Sequence, residues 1–225
     1  ELEQLMTQPP SSPNLQPQRM PELMSRDRGA LDQLLAETVL AHIGLSVDGR
    51  PMVMPTAFAV QDNKILIHGS TGSRWMRAVQ EQDACVTITR LNGVLVARSM
   101  FESSIHYQSA VFFGRFTRVE PERLDAALVQ LTDRILPGRS AELRGNSRKE
   151  LAATLLLEMP ITDWSLRVSD GWAEDDDRDV AGGAWGGVIR LAPQRATAEA
   201  APDLRAGIAV PPSVAAFVAH PRGIV

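Results

Sequence analysis

Two tight polar turns, Asp48-Gly49 and Gln61-Asp-Asn63, separate three apolar, β-branched runs, and this spacing constrains the fold more than any other feature of the chain. Asp-Gly accepts the left-handed backbone of a two-residue hairpin, so Thr38–Val47 and Pro51–Val60 should pair antiparallel. Lys64–Ile67 then returns as a third strand. The same logic continues downstream. Ala84–Thr89 alternates apolar and hydroxyl side chains, as a half-buried strand does. Asn92-Gly93 is a further hairpin signal leading into Val94–Ala97. Ser109–Arg118 is the longest strand candidate, with Gly114 a candidate bulge or barrel bend, and Asp163–Val168 is the last. Many short strands joined by tight turns predict a mainly β fold, a small closed or nearly closed barrel.

Helices are expected around that barrel. Leu31, Leu34 and Leu35 lie at helical spacing within Asp27–Ala36. Pro121 suits a first helical position, and Leu124, Leu128 and Leu131 form a stripe that stops at Pro137-Gly138. Ser147-Arg-Lys-Glu150 is a capping box, which predicts a helix over Leu151–Glu158 ended by Pro160. The chain has 225 residues, of which 44% are hydrophobic but only 5% aromatic, so one domain with an aliphatic and methionine core is expected.

Composition also excludes function classes. A net charge of −4 with no basic stripe argues against nucleic-acid binding. The single cysteine, Cys85, precludes an internal disulfide or a cysteine-cluster metal site, and its mid-strand position reads as that of a small hydrophobe. The acidic run Glu174–Asp177 with Asp179 lacks the patterned oxygen ligands of a calcium loop, so no metal is expected. Residues 1–25 are rich in Pro, Gln and Ser, without an apolar run suited to a signal peptide or a membrane span. The chain opens on Glu1, as a trimmed start would. These features predict a flexible tail over 1–25, a domain over 26–191 and an Ala/Pro-rich arm over 192–225. They also predict a cytoplasmic location without a membrane partner.

The candidate chemistry is concentrated in His68-Gly-Ser-Thr-Gly-Ser-Arg74. Gly69 and Gly72 allow close backbone approach, Ser70, Thr71 and Ser73 supply short donors, and Arg74 supplies a guanidinium fork: together, the set a phosphate monoester needs. Trp75–Val79 reads as the first turns of a helix, whose dipole would also favour an anion. Taken alone, such a string more often marks an ordinary polar strand-to-helix turn.

The order strand, Asp-Gly turn, strand, turn, strand, His-Gly-Ser-Thr-Gly-Ser-Arg resembles the pyridoxamine 5′-phosphate oxidase-like, FMN-binding split barrels, and most of all the branch with the nitroimidazole-resistance proteins. The likeness runs from about Arg26 to Leu191. It is carried by Gly49-Arg-Pro51, Met54-Pro-Thr56, the turn His68–Arg74, the segment Leu95–Tyr107 and Trp185-Gly-Gly-Val188, which is similar to a Trp-Ala-Gly-Val segment of that branch. The resemblance implies a dimeric split barrel with FMN at the subunit interface, acting as an oxidoreductase on a small molecule.

By residue, it implies that Gly69, Ser70, Thr71, Ser73 and Arg74 hold the phosphate. Met54, Pro55 and Thr56 would border the flavin ring, where a backbone amide assists hydride acceptance. Ser103, Ser104 and Tyr107 match the family's cofactor-binding segment after the middle strand pair, with Tyr107 capping the phosphate or ribityl chain, and Trp185 would reach over from the second subunit. Trp75 is either a flavin contact or core. His68 falls beside the flavin in the family pattern, yet it equally suits a hydrogen-bonded core histidine. The family's C-terminal arginine-and-histidine segment is replaced here by Trp185–Leu191 without histidine, which argues against vitamin-B6 oxidase activity. The residues leave open a second reading, a non-catalytic protein that binds or sequesters flavin or haem, with His42, His68 or His106 as axial ligand.

Overall fold

A computed structural model describes residues 21–191, 196–205 and 207–221. The expected tail lies outside the described residues up to residue 20, as do residues 192–195, 206 and 222–225 of the expected arm. The strands are β1 (Met24–Ser25), β2 (Leu40–Val47), β3 (Arg50–Gln61), β4 (Lys64–Ser70), β5 (Ala84–Val96), β6 (Ser104–Gly114), β7 (Thr117–Arg118), β8 (Thr154–Pro160), β9 (Asp163–Ser169) and β10 (Gly187–Arg190). All pair antiparallel in the order β1-β9-β6-β5-β2-β3-β4-β8-β7, with β10 added along β5. The helices are α1 (Arg28–Glu37), α2 (Arg74–Ala78), α3 (Pro121–Ile135), α4 (Arg148–Ala153), α5 (Asp177–Val180) and α6 (Pro212–Ala219).

Both leading turns form as their residues dictate. Asp48 and Gly49 have φ of 51° and 73°, and Asp62 and Asn63 have φ of 49° and 58°, the positive values that a two-residue hairpin requires. The resulting β2-β3-β4 meander rolls around an aliphatic interior. Ile43, Phe58, Ile65, Ile67, Val86, Ile88, Phe112, Leu157, Met159 and Leu166 point into it, and α1 plugs one side with Leu31, Leu34 and Leu35. Leu66 and Leu156, of opposite parity, face outward and are covered by Ala127 and Leu131 of α3. The Leu124, Leu128 and Leu131 stripe therefore serves a second core layer, with Leu131 fully buried.

Glu158 shares this outer face of β8. Its carboxylate accepts from Lys64 Nζ (2.5 Å) and Arg123 Nη1 (3.0 Å). Burial opposes its ionisation, but the two cationic donors outweigh burial and hold the carboxyl below its ordinary range.

Three expectations are corrected. Asn92-Gly93 does not turn the chain: β5 runs on to Val96, and its register against β6 shifts between Leu91 and Gly93. Gly93 is there for close approach, since a Cβ would lie 2.6 Å from the Ile189 carbonyl oxygen of β10, a strand not foreseen from the sequence. The Ser147 capping box forms as read, but α4 ends at Ala153 and Thr154–Pro160 is strand, not helix. The apolar run Leu155–Leu157 is buried on both faces and pairs along the whole of β4, so tertiary contacts override the helical start. The long strand candidate begins earlier, at Ser104, and stops at Gly114, where a Cβ would meet Met159 at 3.1 Å. Thr117 and Arg118 belong instead to β7, paired with β8.

Candidate functional site at the split between strands three and four

β3 pairs with two neighbours over different stretches of its length. Residues Arg50–Ala57 pair with β2, whereas only Phe58–Gln61 pair with β4. Beyond Ile67, β4 pairs with β8 alone, through His68, Gly69 and Ser70. The two strands therefore part, and a cleft runs between the edge of β3 and the segment His68–Arg74. At its far end the Arg74 guanidinium donates to Asp48 Oδ2 in the β2–β3 turn (2.5 Å). Both side chains are 74% exposed.

The backbone direction of β3 determines what its open edge offers. Phe58 N–H donates to Val39 O (3.2 Å), toward the β2 side. Alternation along a strand then turns Met54 and Thr56 N–H toward β2, and those of Val53 and Ala57 toward the cleft. Pro51 and Pro55 share the cleft-facing parity, where lacking an N–H costs no ladder bond. The amides available at the cleft edge are thus Val53 and Ala57, while the cleft-facing parity of Pro55 leaves it only a carbonyl to offer. Met54 turns its side chain to the barrel interior. Thr56 Oγ1 donates to the Ala57 carbonyl (3.4 Å).

Across the cleft, the polar turn is internally tied. Thr71 N–H donates to Ala153 O (3.0 Å), Ser73 N–H to Ser70 O (2.9 Å) and Gly72 N–H to Ser70 Oγ (3.1 Å). Gly69 lies close against α2, since a Cβ would meet Met76 Cγ at 3.3 Å. Ser73 is the N-cap of α2 but makes no side-chain capping bond. Its hydroxyl is thus available to a ligand, whereas the Arg74 head is engaged by Asp48. The exposed Arg74–Asp48 pair is worth no more than about 1 kcal/mol.

The three histidines weighed as ligands differ sharply. His42 is exposed on the outer sheet face. His106 is 2% exposed, with Nε2 2.8 Å from the Gly171 carbonyl. His68 is half-buried beside the split, and its buried Nδ1 has no hydrogen-bond partner. Burial lowers its pKa, which keeps the ring neutral and its nitrogens able to bind a metal centre.

The model of the family described as pyridoxamine 5′-phosphate oxidase matches residues 27–168. The chain belongs to the pyridoxamine 5′-phosphate oxidase family. Among solved structures, it is 47% identical to the FAD and heme binding protein from Mycobacterium smegmatis. That match covers 86% of this chain and 96% of the other, with a TM-score of 0.83. It is 30% identical to the flavocytochrome Anf3 from Azotobacter vinelandii, over 88% and 94% of the two chains, again with a TM-score of 0.83. A Bacteroides thetaiotaomicron protein described as a 5-nitroimidazole antibiotic resistance protein shares the fold at 14% identity and a TM-score of 0.56, over 64% of this chain and 86% of the other. No curated protein matches the sequence.

Within this family fold, the expected site residues fall into two groups. Met54, Pro55, Thr56, His68, Gly69, Ser70, Thr71, Ser73 and Arg74 gather around the split. Ser103, Ser104, Tyr107 and Trp185 lie on the arm of β5, β6 and β10, with β5, β2 and β3 between Tyr107 and His68. There, Ser103 Oγ donates to Ser99 O (2.9 Å), and Trp185 is 67% exposed. The Trp185 loop is held by Asp175, which accepts from both the amide and the guanidinium of Arg98. Trp75 packs against the barrel core. The Val53 and Ala57 amides were not anticipated, although two prolines four residues apart within one strand were a usable signal for a stretch unpaired on one side.

Among the described residues, no group of three or more His, Cys, Asp or Glu side chains is arranged to hold a metal ion. No helix among them is long and apolar enough to cross a membrane.

Proposed function

We propose that this protein is a flavin- and haem-binding redox protein that works as a homodimer on a small-molecule partner. The observation that carries the haem part is the buried, unpartnered Nδ1 of His68, the one histidine of the three considered with an unmet bonding need beside the cleft. The flavin part rests on the split, with its donor-rich turn facing a strand edge that offers two free amides. Support for both comes from the 47% identical relative, described as binding FAD and heme, and from the flavocytochrome.

In this reading, Arg74 exchanges Asp48 for a flavin phosphate, and Ser70, Thr71 and Ser73 add hydroxyl donors. The Val53 and Ala57 amides would be the backbone donors that hold the flavin ring. His68 would hold the haem iron through its imidazole. Ser103, Ser104, Tyr107 and Trp185, on the arm three strands removed from His68 in the sheet order, would complete the site of a second chain. When bound, a flavin supplies hydride acceptance with one-electron release, and a haem supplies a one-electron centre. The cytoplasmic location expected from the sequence is retained. FAD is favoured over the FMN expected from the sequence because the 47% identical relative is described with FAD.

The test is the absorption spectrum of the protein as purified, with the released flavin identified by mass. Flavin bands with a Soret band that His68→Ala removes, the flavin being kept, bear the reading out. A protein that takes up neither FAD nor FMN on titration overturns it. Bleaching by NADH or NADPH followed by turnover with an acceptor separates an oxidoreductase from a protein that only sequesters its cofactors.

A further inference from the structure

A cavity of about 350 Å³ is built on Thr71 but excludes Arg74 and β3; it is lined by Thr71, Arg77, Gln80, Glu81, Arg118 and Leu155. Its elements are fixed. Arg77 N–H donates to Ser73 O (3.2 Å), Thr71 N–H donates to Ala153 O, and Arg118 stands opposite Leu157 in the β7–β8 ladder. Leu155 gives it a buried apolar floor. Two guanidiniums against the one Glu81 carboxylate leave the lining with a net positive charge. Among the described residues, neither Arg77 nor Arg118 has an ion-pair partner, whereas Arg74 is engaged with Asp48.

We propose that this cavity is an anion site for a phosphate-bearing ligand, with Arg77 and Arg118 as its two clamps and the Thr71 hydroxyl as a further donor. Two guanidinium forks present several N–H donors in fixed planes, more than the two oxygens of a carboxylate can satisfy. A phosphate monoester or a diphosphate offers enough acceptors. The volume is near the lower end of ligand pockets, which start at about 300 Å³, so it suits a diphosphate with the first atoms of its organic group. That anion is either part of the flavin itself or part of a separate phosphorylated small molecule. The inference rests on the cavity and not on the flavin reading.

The experiment is calorimetric titration with inorganic pyrophosphate into wild type, Arg77→Gln, Arg118→Gln and the double variant, with the flavin content of each preparation read by absorbance. Saturable binding to wild type is expected, weakened about tenfold by each single change and about a hundredfold by both. Glu81→Gln should strengthen it several-fold. If the ligand is a separate molecule, the flavin-loaded protein binds pyrophosphate and the variants keep their flavin. If the flavin's own phosphates fill the cavity, pyrophosphate binds only flavin-free protein and the double variant loses flavin. Unchanged affinity in the double variant overturns the inference. So does absence of binding with and without flavin while the variants retain it. Arginine-dependent binding by a protein that takes up no flavin leaves this site standing and removes the proposed function.

Discussion

Replacing His68 with Met should stabilise the cofactor-free protein and weaken its haem binding, since a thioether is a poorer iron ligand than an imidazole. A buried ring nitrogen without a partner carries a desolvation cost of about 1–3 kcal/mol, and methionine occupies similar space without a polar ring. Because His68 is only half-buried as a residue, the lower end applies, about 1 kcal/mol. For a chain of this size, that corresponds to a rise in Tm of roughly 2–4 °C. The gain should grow in acid. Burial depresses the folded pKa of His68, so below the unfolded value of about 6.5 the unfolded chain takes up a proton that the folded chain refuses. Wild-type stability is complete above that value and falls as pH drops from it toward the lower folded pKa. The methionine variant lacks this loss. Thermal unfolding of cofactor-free protein at pH 7.5 and 5.5, beside haem titration of both proteins, reads each part. A lowered Tm with unchanged haem uptake would refute the reasoning, since Nδ1 would then be partnered in solution and the iron held elsewhere.

Arg74→Ala should weaken flavin retention by about 1.5–3 kcal/mol, the worth of a charge-assisted contact, measured by fluorescence titration of the stripped protein. Asp48→Asn should instead tighten it up to a few-fold, because the competing exposed ion pair contributes at most about 1 kcal/mol; a looser complex would mean that Asp48 orders the turn for the ligand. Gly93→Ala places a methyl group against the Ile189 carbonyl, and overpacking against backbone should cost about 1–3 kcal/mol. It should also release β10 to limited proteolysis, and an unchanged digestion pattern would count against the close approach. Glu158→Gln should lower stability at pH 7 by about 1–3 kcal/mol. The wild-type contribution is present above the unfolded carboxyl pKa of about 4.3 and lost as pH falls through the lower folded value, so the two proteins should converge in acid. Parallel acid-denaturation curves would place the stabilisation elsewhere.

Most of the meander was legible because turn chemistry is local. Asp48-Gly49 and Asp62-Asn63 adopt positive φ for reasons contained in those residues, and the strands on either side follow. The same dipeptide logic fails at Asn92-Gly93, where the glycine answers to a strand about a hundred residues away in sequence. Leu151–Glu158 fails for a related cause. Its capping box is a local signal and forms, but a run of leucines reports burial without saying whether one face or both are covered, and the barrel interior and α3 cover both. The α6 helix within the Ala/Pro-rich arm is held by Ser213, whose N–H and hydroxyl both donate to Glu142, a pairing that no periodicity announces.

The cleft itself was half legible. The polar turn stands out by composition, yet composition does not say that β4 leaves β3 after Ile67, and without that parting the turn faces no strand edge at all. What opens the edge is the pair Pro51 and Pro55. On the parity fixed by the Phe58–Val39 bond, both lack a donor on the cleft side, and the register would put Pro55 opposite Ser70 at the end of β4, so the ladder that continues through Ala59 and Gln61 has little to gain by extending. The Val53 and Ala57 amides, left without a strand partner, are the remainder of that interrupted ladder, open to water or to a ligand acceptor. A planar ligand bearing acceptors along one edge pairs with them in the way β4 pairs further along. Restoring pairing should therefore compete with the ligand. Pro55→Val, which returns an N–H at the cleft edge, should favour closure of β4 onto β3, slow exchange of the Val53 and Ala57 amides in the cofactor-free protein and weaken flavin binding. Faster exchange with tighter binding would show that the prolines do not hold the split open.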